Sequence, residues 1–385
     1  MKPALSIIIP CYNSSATLEE AVHSLDTQQL DDHEVIIVDD GSTDGTRKLI
    51  KSLSRANPYI RHIFHERNKG GGAARNTGIK DARSDFFFCL DSDDMLAPRC
   101  LSRMLALQRQ TGADGVTIGI SRKFLGEDVG RIAYMNAFYK NDDPIPLEDL
   151  FDKQGLCPLY STFLFSRRAF EATGGYPEDH GFDTQGFAFR FMANGFKAHI
   201  CRTAEYFHRI KYKESYYQRE EKSGRVSANW SRIFEEHLFL FDDRAKDIII
   251  SARFDDRVHP LHSQLVGAET ILDARYRSYI APRAIAARKK ALSEQGSLNA
   301  YDEYWLGALA YHDKDYANAA VHFEAASNTM DEPRLRWRLA ESRRRLSGIQ
   351  GTAVEESASP DHVAPQPVRK ARPGMTARIF RKFDR

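Results

Sequence analysis

The chain predicts an α/β fold, a mixed and mainly parallel sheet with flanking helices, followed by an α-helical C-terminal region. Three observations carry this expectation. Between Leu5 and Gln110, short runs that are apolar at every position alternate with stretches of helical period, the pattern of strands covered on both faces and joined by crossover helices. Two of these runs, Val35-Ile36-Ile37-Val38 and Phe86-Phe87-Phe88-Cys89-Leu90, lead straight into carboxylates, and open α/β sheets bind ligands at the C-terminal edge of their strands. Beyond about residue 212 the pattern turns helical and charged, with Phe234, Leu238, Phe241, Leu265, Ile271 and Leu272 as candidate core positions.

Residues 5–9 form the first expected strand. Leu18, Ala21, Val22 and Leu25 mark the first helix, with Ser15 as its candidate cap. After the second strand, the small and acidic residues Asp39 to Gly45 turn into a helix carrying Leu49, Ile50 and Leu53. Strands are expected at 60–64 and 86–90, helices at 73–82 and 101–110. Right-handed crossovers put Asp39 and Asp91 on one rim. The pattern weakens after Val116-Thr117-Ile118-Gly119 and resumes at Leu159 with an apolar stretch, a helix at 167–172 and the turn Gly174-Gly175-Tyr176-Pro177. An acidic loop to Asp183, a helix at 184–194 stopped by Gly195, and a strand at 196–201 leading to Tyr206 and His208 follow.

Near the C-terminus, Leu306-Gly307, Tyr311, Ala319, Phe323 and Ala326 have the spacing of a tetratricopeptide helix pair around 302–330, and equally that of an ordinary helical hairpin. Residues 351–367 lack periodicity and are expected to be disordered. Residues 375–383 read either as a basic amphipathic helix for weak contact with an anionic membrane surface or as a solvated tail. The expected units are therefore 1–211, an α-helical region 212–348, and a disordered linker with basic tail at 349–385.

Lys and Arg number 55 against 53 Asp and Glu, a net charge of +2. That balance argues against a nucleic-acid binder, whose affinity comes mostly from neutralising phosphates. The five cysteines are scattered, without C-x-x-C spacing, as suits reduced, buried thiols. The apolar run Ile7-Ile8-Ile9 is cut by Pro10 and too short for a signal peptide core. No apolar stretch approaches the roughly 20 residues of a membrane span. The expected location is cytoplasmic, peripheral at most at the inner face of a membrane.

The carboxylates suggest the chemistry. If the fourth strand continues through Asp91 and Asp93, both side chains share one face, and neighbouring carboxylates are costly without a hard cation such as Mg2+ or Mn2+. Asp91-Ser92-Asp93 therefore reads as a metal-diphosphate site. The competing reading is that these acids cap the helix near Pro98. The basic, glycine-rich loop Arg67 to Asn76 opens a helix, which suits a phosphate or nucleotide, or is a plain surface turn. Its spacing is not that of an NTPase loop.

Together, Ser6-Ile7-Ile8-Ile9-Pro10-Cys11-Tyr12-Asn13, Val38-Asp39-Asp40-Gly41-Ser42-Thr43-Asp44, Asn68 through Ala74-Arg75-Asn76-Thr77-Gly78-Ile79, and Leu90-Asp91-Ser92-Asp93-Asp94 resemble the family 2 glycosyltransferases, which have the GT-A (Rossmann-like) fold. The resemblance is close over about the first hundred residues and looser to His208. It implies a nucleotide site from Pro10, Tyr12, Asn13, Asp39, Asp40, Arg75, Asp91 and Ser92, with Asp39 or Asp40 on the base and Arg75 beside it. It implies Asp93 and His208 as ligands of Mn2+ or Mg2+. It also implies an acid that removes the acceptor proton, for which Asp183 matches, with Asp179 as fallback and Arg190 as the helix arginine. The family's Glu-Asp pair is here Asp183-Thr184, so the second acid is missing.

The reading is an inverting, metal-dependent transferase moving a sugar from a nucleoside-diphosphate-sugar, expected to be a UDP-sugar, to a glycan, lipid-linked or protein acceptor. The alternative is a degenerate transferase domain that acts as a scaffold, recruiting a protein partner through its C-terminal helices.

Overall fold

The computed structural model describes residues 2–125, 128–135, 144–145, 159, 162–178, 183–210, 232–251, 273 and 284–347. Asp179, Cys157, residues 212–231 and the stretch 349–385 lie outside the described residues.

Strands β1 (Leu5–Cys11), β2 (His33–Asp39), β3 (Ile60–Phe64) and β4 (Phe86–Cys89) run parallel in the order β3-β2-β1-β4. Their alternation divides the core in two. Ile7, Ile9, Val35 and Ile37 pack with α1 (Leu18–His23), α2 (Thr46–Ala56) and α4 (Cys100–Thr111), whereas Ile8, Ile36 and Val38 pack with α3 (Gly71–Asp81). Successive residues of a strand point to opposite faces, so a run with helices on both sides must be apolar throughout. The continuous runs in the sequence mean just this.

The sheet then becomes mixed. β8 (Phe163–Ser166) is antiparallel to β4 and to β6 (Gly115–Leu125), and β9 (Ala198–Ile210) runs parallel to β6. The short β5 (Met95–Leu96) pairs antiparallel with β9, and β7 (Asp128–Met135) with β6. Nine strands among the described residues thus form one sheet. β9 carries a register shift: Ile118 pairs with Cys201, but Ile120 pairs with Glu205. Gly119 lies opposite the displaced residues, where an added Cβ would come within 2.7 Å of the Cys201 carbonyl oxygen.

Three expectations need correction. β4 stops at Cys89, and Asp91 to Asp94 form a turn closed by the Asp94 N–H on the Asp91 carbonyl, 3.1 Å. Asp91 and Asp93 therefore do not share a strand face. The strand expected at 196–201 runs on to Ile210, because β6 supplies it with a partner to its last residue. Ser15 caps no helix: Thr17 is the N-cap of α1, and the Ser15 hydroxyl donates to Asp44 at 2.7 Å.

α5 (Arg167–Thr173) closes on the left-handed Gly174, and α6 (Asp183–Ala193) ends before Gly195. The helical residues 232–236, then α7 (Asp243–Ser251), α8 (Ala284–Ser293), α9 (Ala300–His312), α10 (Tyr316–Ser327) and α11 (Pro333–Leu346) complete the described chain. Gly307 on α9 seats the Phe323 ring of α10, which a Cβ would meet at 2.8 Å. The apolar core on the α3 face of the sheet continues through Phe187, Phe189 and Phe234 to Trp305, Phe323 and Leu335. No helix among the described residues is long and apolar enough to cross a membrane. Cys11, Cys89, Cys100 and Cys201 are buried free thiols.

Candidate active site

The site lies at the C-terminal edge of β1, β2 and β4. The β1 loop and the turn after β4 are joined by the Ser14 and Ser92 hydroxyls at 2.7 Å and by the Thr17 hydroxyl donating to the Ser92 carbonyl at 2.9 Å. Asn13 is left-handed, donates its N–H to the Ser42 hydroxyl at 2.9 Å and accepts from the Thr43 N–H at 2.9 Å. This pins Tyr12 where its ring is 50% exposed at the rim. Pro10 pairs with Val38 one residue before Cys11 meets Asp39.

The two acids after β2 have separate structural partners. Asp39 accepts from Arg47 Nε at 2.7 Å and faces the Ser42 N–H at 3.3 Å. Asp40 accepts from the Lys69 and Gly70 N–H groups at 2.9 and 2.7 Å and meets His65 Nδ1 at 2.7 Å. It thereby fastens the glycine-rich loop to the sheet.

Arg75, which the resemblance put beside the base, pairs with Asp91 and Asp183 rather than with Asp39 or Asp40. Its side chain is 8% exposed; Nη2 donates to Asp91 at 2.5 Å and Nη1 to Asp183. One guanidinium thus links the turn after β4 to the start of α6. Its Nε is buried and has no hydrogen-bond partner among the described residues, an uncommon state for a buried donor. Burial, and then the neighbouring Asp94, Asp93 and Asp183, push the Asp91 carboxyl up to about 6 against the opposing pull of Arg75.

Asp94, not Asp93, meets His208. Its Oδ2 accepts from Tyr206 OH at 2.7 Å and meets His208 Nδ1 at 3.1 Å, and its Oδ1 accepts from the Arg209 N–H at 2.8 Å. Burial disfavours the charged imidazole, but the bond and charge of Asp94 hold His208 above its ordinary value. The helix-cap reading of the acids fails: Arg99 is the N-cap of α4, with no side-chain cap.

No group of three or more His, Cys, Asp or Glu side chains among the described residues is arranged as a closed metal site. A cation that arrives with a diphosphate asks for fewer protein ligands than a closed site. Such ions take one or two carboxylates and complete their shell with phosphate and water. A histidine whose Nδ1 is fixed by a carboxylate presents Nε2 in a set direction, and the His208 side chain is 52% exposed.

The glycine run has a steric cause that periodicity could not reveal. A Cβ on Gly71 would come within 2.9 Å of Asp183 Oδ2, and one on Gly72 would overlap the Pro177 carbonyl oxygen. Asn76, which sequence reasoning passed over, donates to the Tyr176 carbonyl at 2.8 Å and to Glu178 at 3.0 Å, and accepts from the Tyr176 N–H at 2.9 Å. The only signal was its place in the motif Ala74-Arg75-Asn76.

A profile described as glycosyl transferase family 2 matches residues 6–174. The uncharacterized glycosyltransferase EpsJ of Bacillus subtilis is 35% identical over 123 residues, 32% of this chain and 36% of its own length. A GalNAc(5)-diNAcBac-PP-undecaprenol beta-1,3-glucosyltransferase of Campylobacter jejuni is 33% identical over 104 residues, 27% of this chain and 34% of its own. The chain spans about a third of the length of these relatives. Among solved structures, S. aureus TarS 1-349 in complex with UDP-GlcNAc matches with a TM-score of 0.53 at 17% identity, over 91% of this chain and 94% of that one. At that identity the likeness concerns the fold.

Proposed function

Residues 6–174 form a glycosyltransferase family 2 domain, and from that premise we propose that the protein transfers a sugar, with inversion, from a nucleoside-diphosphate-sugar to an acceptor hydroxyl. The observation that carries the reading is Arg75, which ties Asp91 on the donor side to Asp183 on the acceptor side. UDP is the proposed nucleotide. The proposed acceptor is a growing glycan, lipid-linked or free, in line with the undecaprenol-linked glycan in the Campylobacter relative's name.

The chemistry follows from the placement. The acceptor oxygen attacks the anomeric carbon while the bond from that carbon to the diphosphate oxygen breaks, so the electron pair leaves with the diphosphate. Asp183 sits at the start of α6 with 13% of its side chain exposed, and its Oδ1 takes no hydrogen bond from the described residues. That oxygen is proposed to accept the acceptor's proton. A bound Mn2+ or Mg2+ would neutralise charge developing on the diphosphate, with Asp93 and His208 proposed to hold it. Tyr12 offers an exposed ring to the base. A leaving group so near Asp91 and Asp93 must be compensated, which is why the cation belongs to the proposal.

The test is calorimetric titration of UDP, GDP and dTDP and their sugars, with and without Mn2+. Metal-dependent binding of UDP compounds is expected; a flat response across all of them overturns the reading.

A further inference from the structure

A second set of buried charges lies away from the sheet edge, where the C-terminal helices meet α6. Glu235 is fully buried. It accepts from Tyr304 OH at 2.6 Å, Arg338 Nη2 at 2.6 Å and Arg334 Nη1 at 3.4 Å, and meets His312 Nε2 at 3.0 Å. The donors belong to α9 and α11. Glu236, the next residue, takes Arg190 Nη2 at 3.0 and 3.1 Å and Nε at 3.2 Å, together with Arg232 Nε at 2.8 Å. Its carbonyl accepts from Trp305 Nε1 at 2.9 Å. Arg190 also reaches the Gly175 carbonyl at 3.5 Å, at the base of the loop that leads to Pro177.

Arg190 and Asp183 lie on the same helix, two turns apart, hence on the same side of α6 and about 10 Å apart along its axis. α6 has no slack at its other end. A Cβ on Gly186 would come within 2.5 Å of the Pro177 ring, while Asp183 itself abuts Gly71 and Gly72. Forked, buried ion pairs are costly to desolvate and add little net stability over apolar packing. Their geometric definition is what they contribute.

We propose that Arg190 and Glu236 are positioning residues for the transfer: through them, and through Glu235 behind them, α9 and α11 hold α6 and so set the place of Asp183. The C-terminal helices are then part of the catalytic unit. This rests on Asp183 being the base, and a displacement of about 1 Å at such a group can cost a hundredfold in rate.

The test uses the full chain carrying Glu236→Gln, Arg190→Lys, and the charge-balanced double variant Arg190→Gln/Glu236→Gln, which guards against misfolding from an unpaired charge. Expected is a 10- to 100-fold fall in kcat with UDP affinity and donor KM within about threefold of wild type. Arg190→Lys, which keeps the charge but loses the fork, should fall in between. Amide exchange at 184–188 should quicken at least tenfold while β1 to β4 stay protected. Unchanged kcat in the double variant, or kcat and UDP affinity falling together, overturns the proposal. If wild type transfers from no nucleotide-sugar, the proposed function fails; exchange at 184–188 still decides whether the pair holds α6, and unchanged exchange overturns that too.

Discussion

At the scale of single residues, the roles proposed for Asp93 and Asp183 differ, and their substitutions should separate them. Asp93→Ala removes a proposed metal ligand while leaving the Asp94 contacts to Tyr206 and His208 in place. Metal-dependent UDP binding should disappear in calorimetry, with the melting temperature of the free protein within a few degrees of wild type. Asp183→Asn keeps a hydrogen-bond acceptor for Arg75 but cannot take a proton. Transfer should fall about 10²- to 10⁴-fold with UDP binding preserved, read by comparing turnover with titration of the same sample. Residue types and spacing pointed to Asp91 and Asp93, since acids at strand ends are chemical signals, and Asp183 came from the family resemblance. They could not say that Arg75 would choose Asp91 and Asp183 over Asp39, because those partners lie 16 and 108 positions away. Nor could they say that Asp40 would be consumed by the backbone of the glycine loop.

At the scale of elements, β1 to β4 and their helices could be read almost to the residue, since a strand between two helical layers must be apolar throughout. β9 was read only over 198–201, four of its 13 residues. Its outer part mixes polar and apolar residues without a clean period and is a strand because β6 lies beside it, a non-local fact that no window of sequence contains. The segment 232–237 was equally opaque: Glu235 and Glu236 look like two solvated helix acids, yet they are buried. This seam should be acid-labile. Burial, above all, holds the neutral His237 at about 4, and its Nε2 has no hydrogen-bond partner among the described residues. The unfolded chain takes up that proton near pH 6.5 while the folded one refuses it until about 4, so stability falls as the pH drops through that window, by roughly 3 kcal/mol in all. Glu236, which burial alone would raise, is held at about 2 by Arg190 and Arg232; its stabilising share is present above its ordinary value and is lost below it. Asp91 titrates in the opposite sense, so the measurement is a difference: wild type against His237→Phe in urea at pH 7 and pH 4. Wild type should lose about 3 kcal/mol relative to the variant.

At the scale of the whole molecule, the core that begins under the sheet ends among the C-terminal helices. Tyr304, Trp305 and Phe323 are buried in the same apolar cluster as Phe187 and Ile8. Losing even a few such side chains costs about 3–5 kcal/mol each, against a total stability of roughly 5–15 kcal/mol. Removal of residues 296–385 should therefore give a chain without a cooperative thermal transition, checked by calorimetry and near-ultraviolet circular dichroism. A truncated form that melts like wild type would show the helices to be dispensable. The helical spacing around Gly307 and Phe323 was visible in the sequence; the surface on which the helices settle was not, because it is built from α6 and from residues 232–241 far upstream.

The register shift in β9 has a consequence of parity. From Ile118 to Ile120 on β6 is two steps, but from Cys201 to Glu205 on β9 is four, so the surplus is even and the inward and outward sides of the strand are the same before and after it. Tyr206 and His208 both reach Asp94 because they lie two apart on one face of the strand. Shortening between 202 and 204 keeps His208 on its side as long as Glu205 stays beside Ile120, whereas a slip of one residue in that pairing would turn Phe207 toward Asp94 and His208 away.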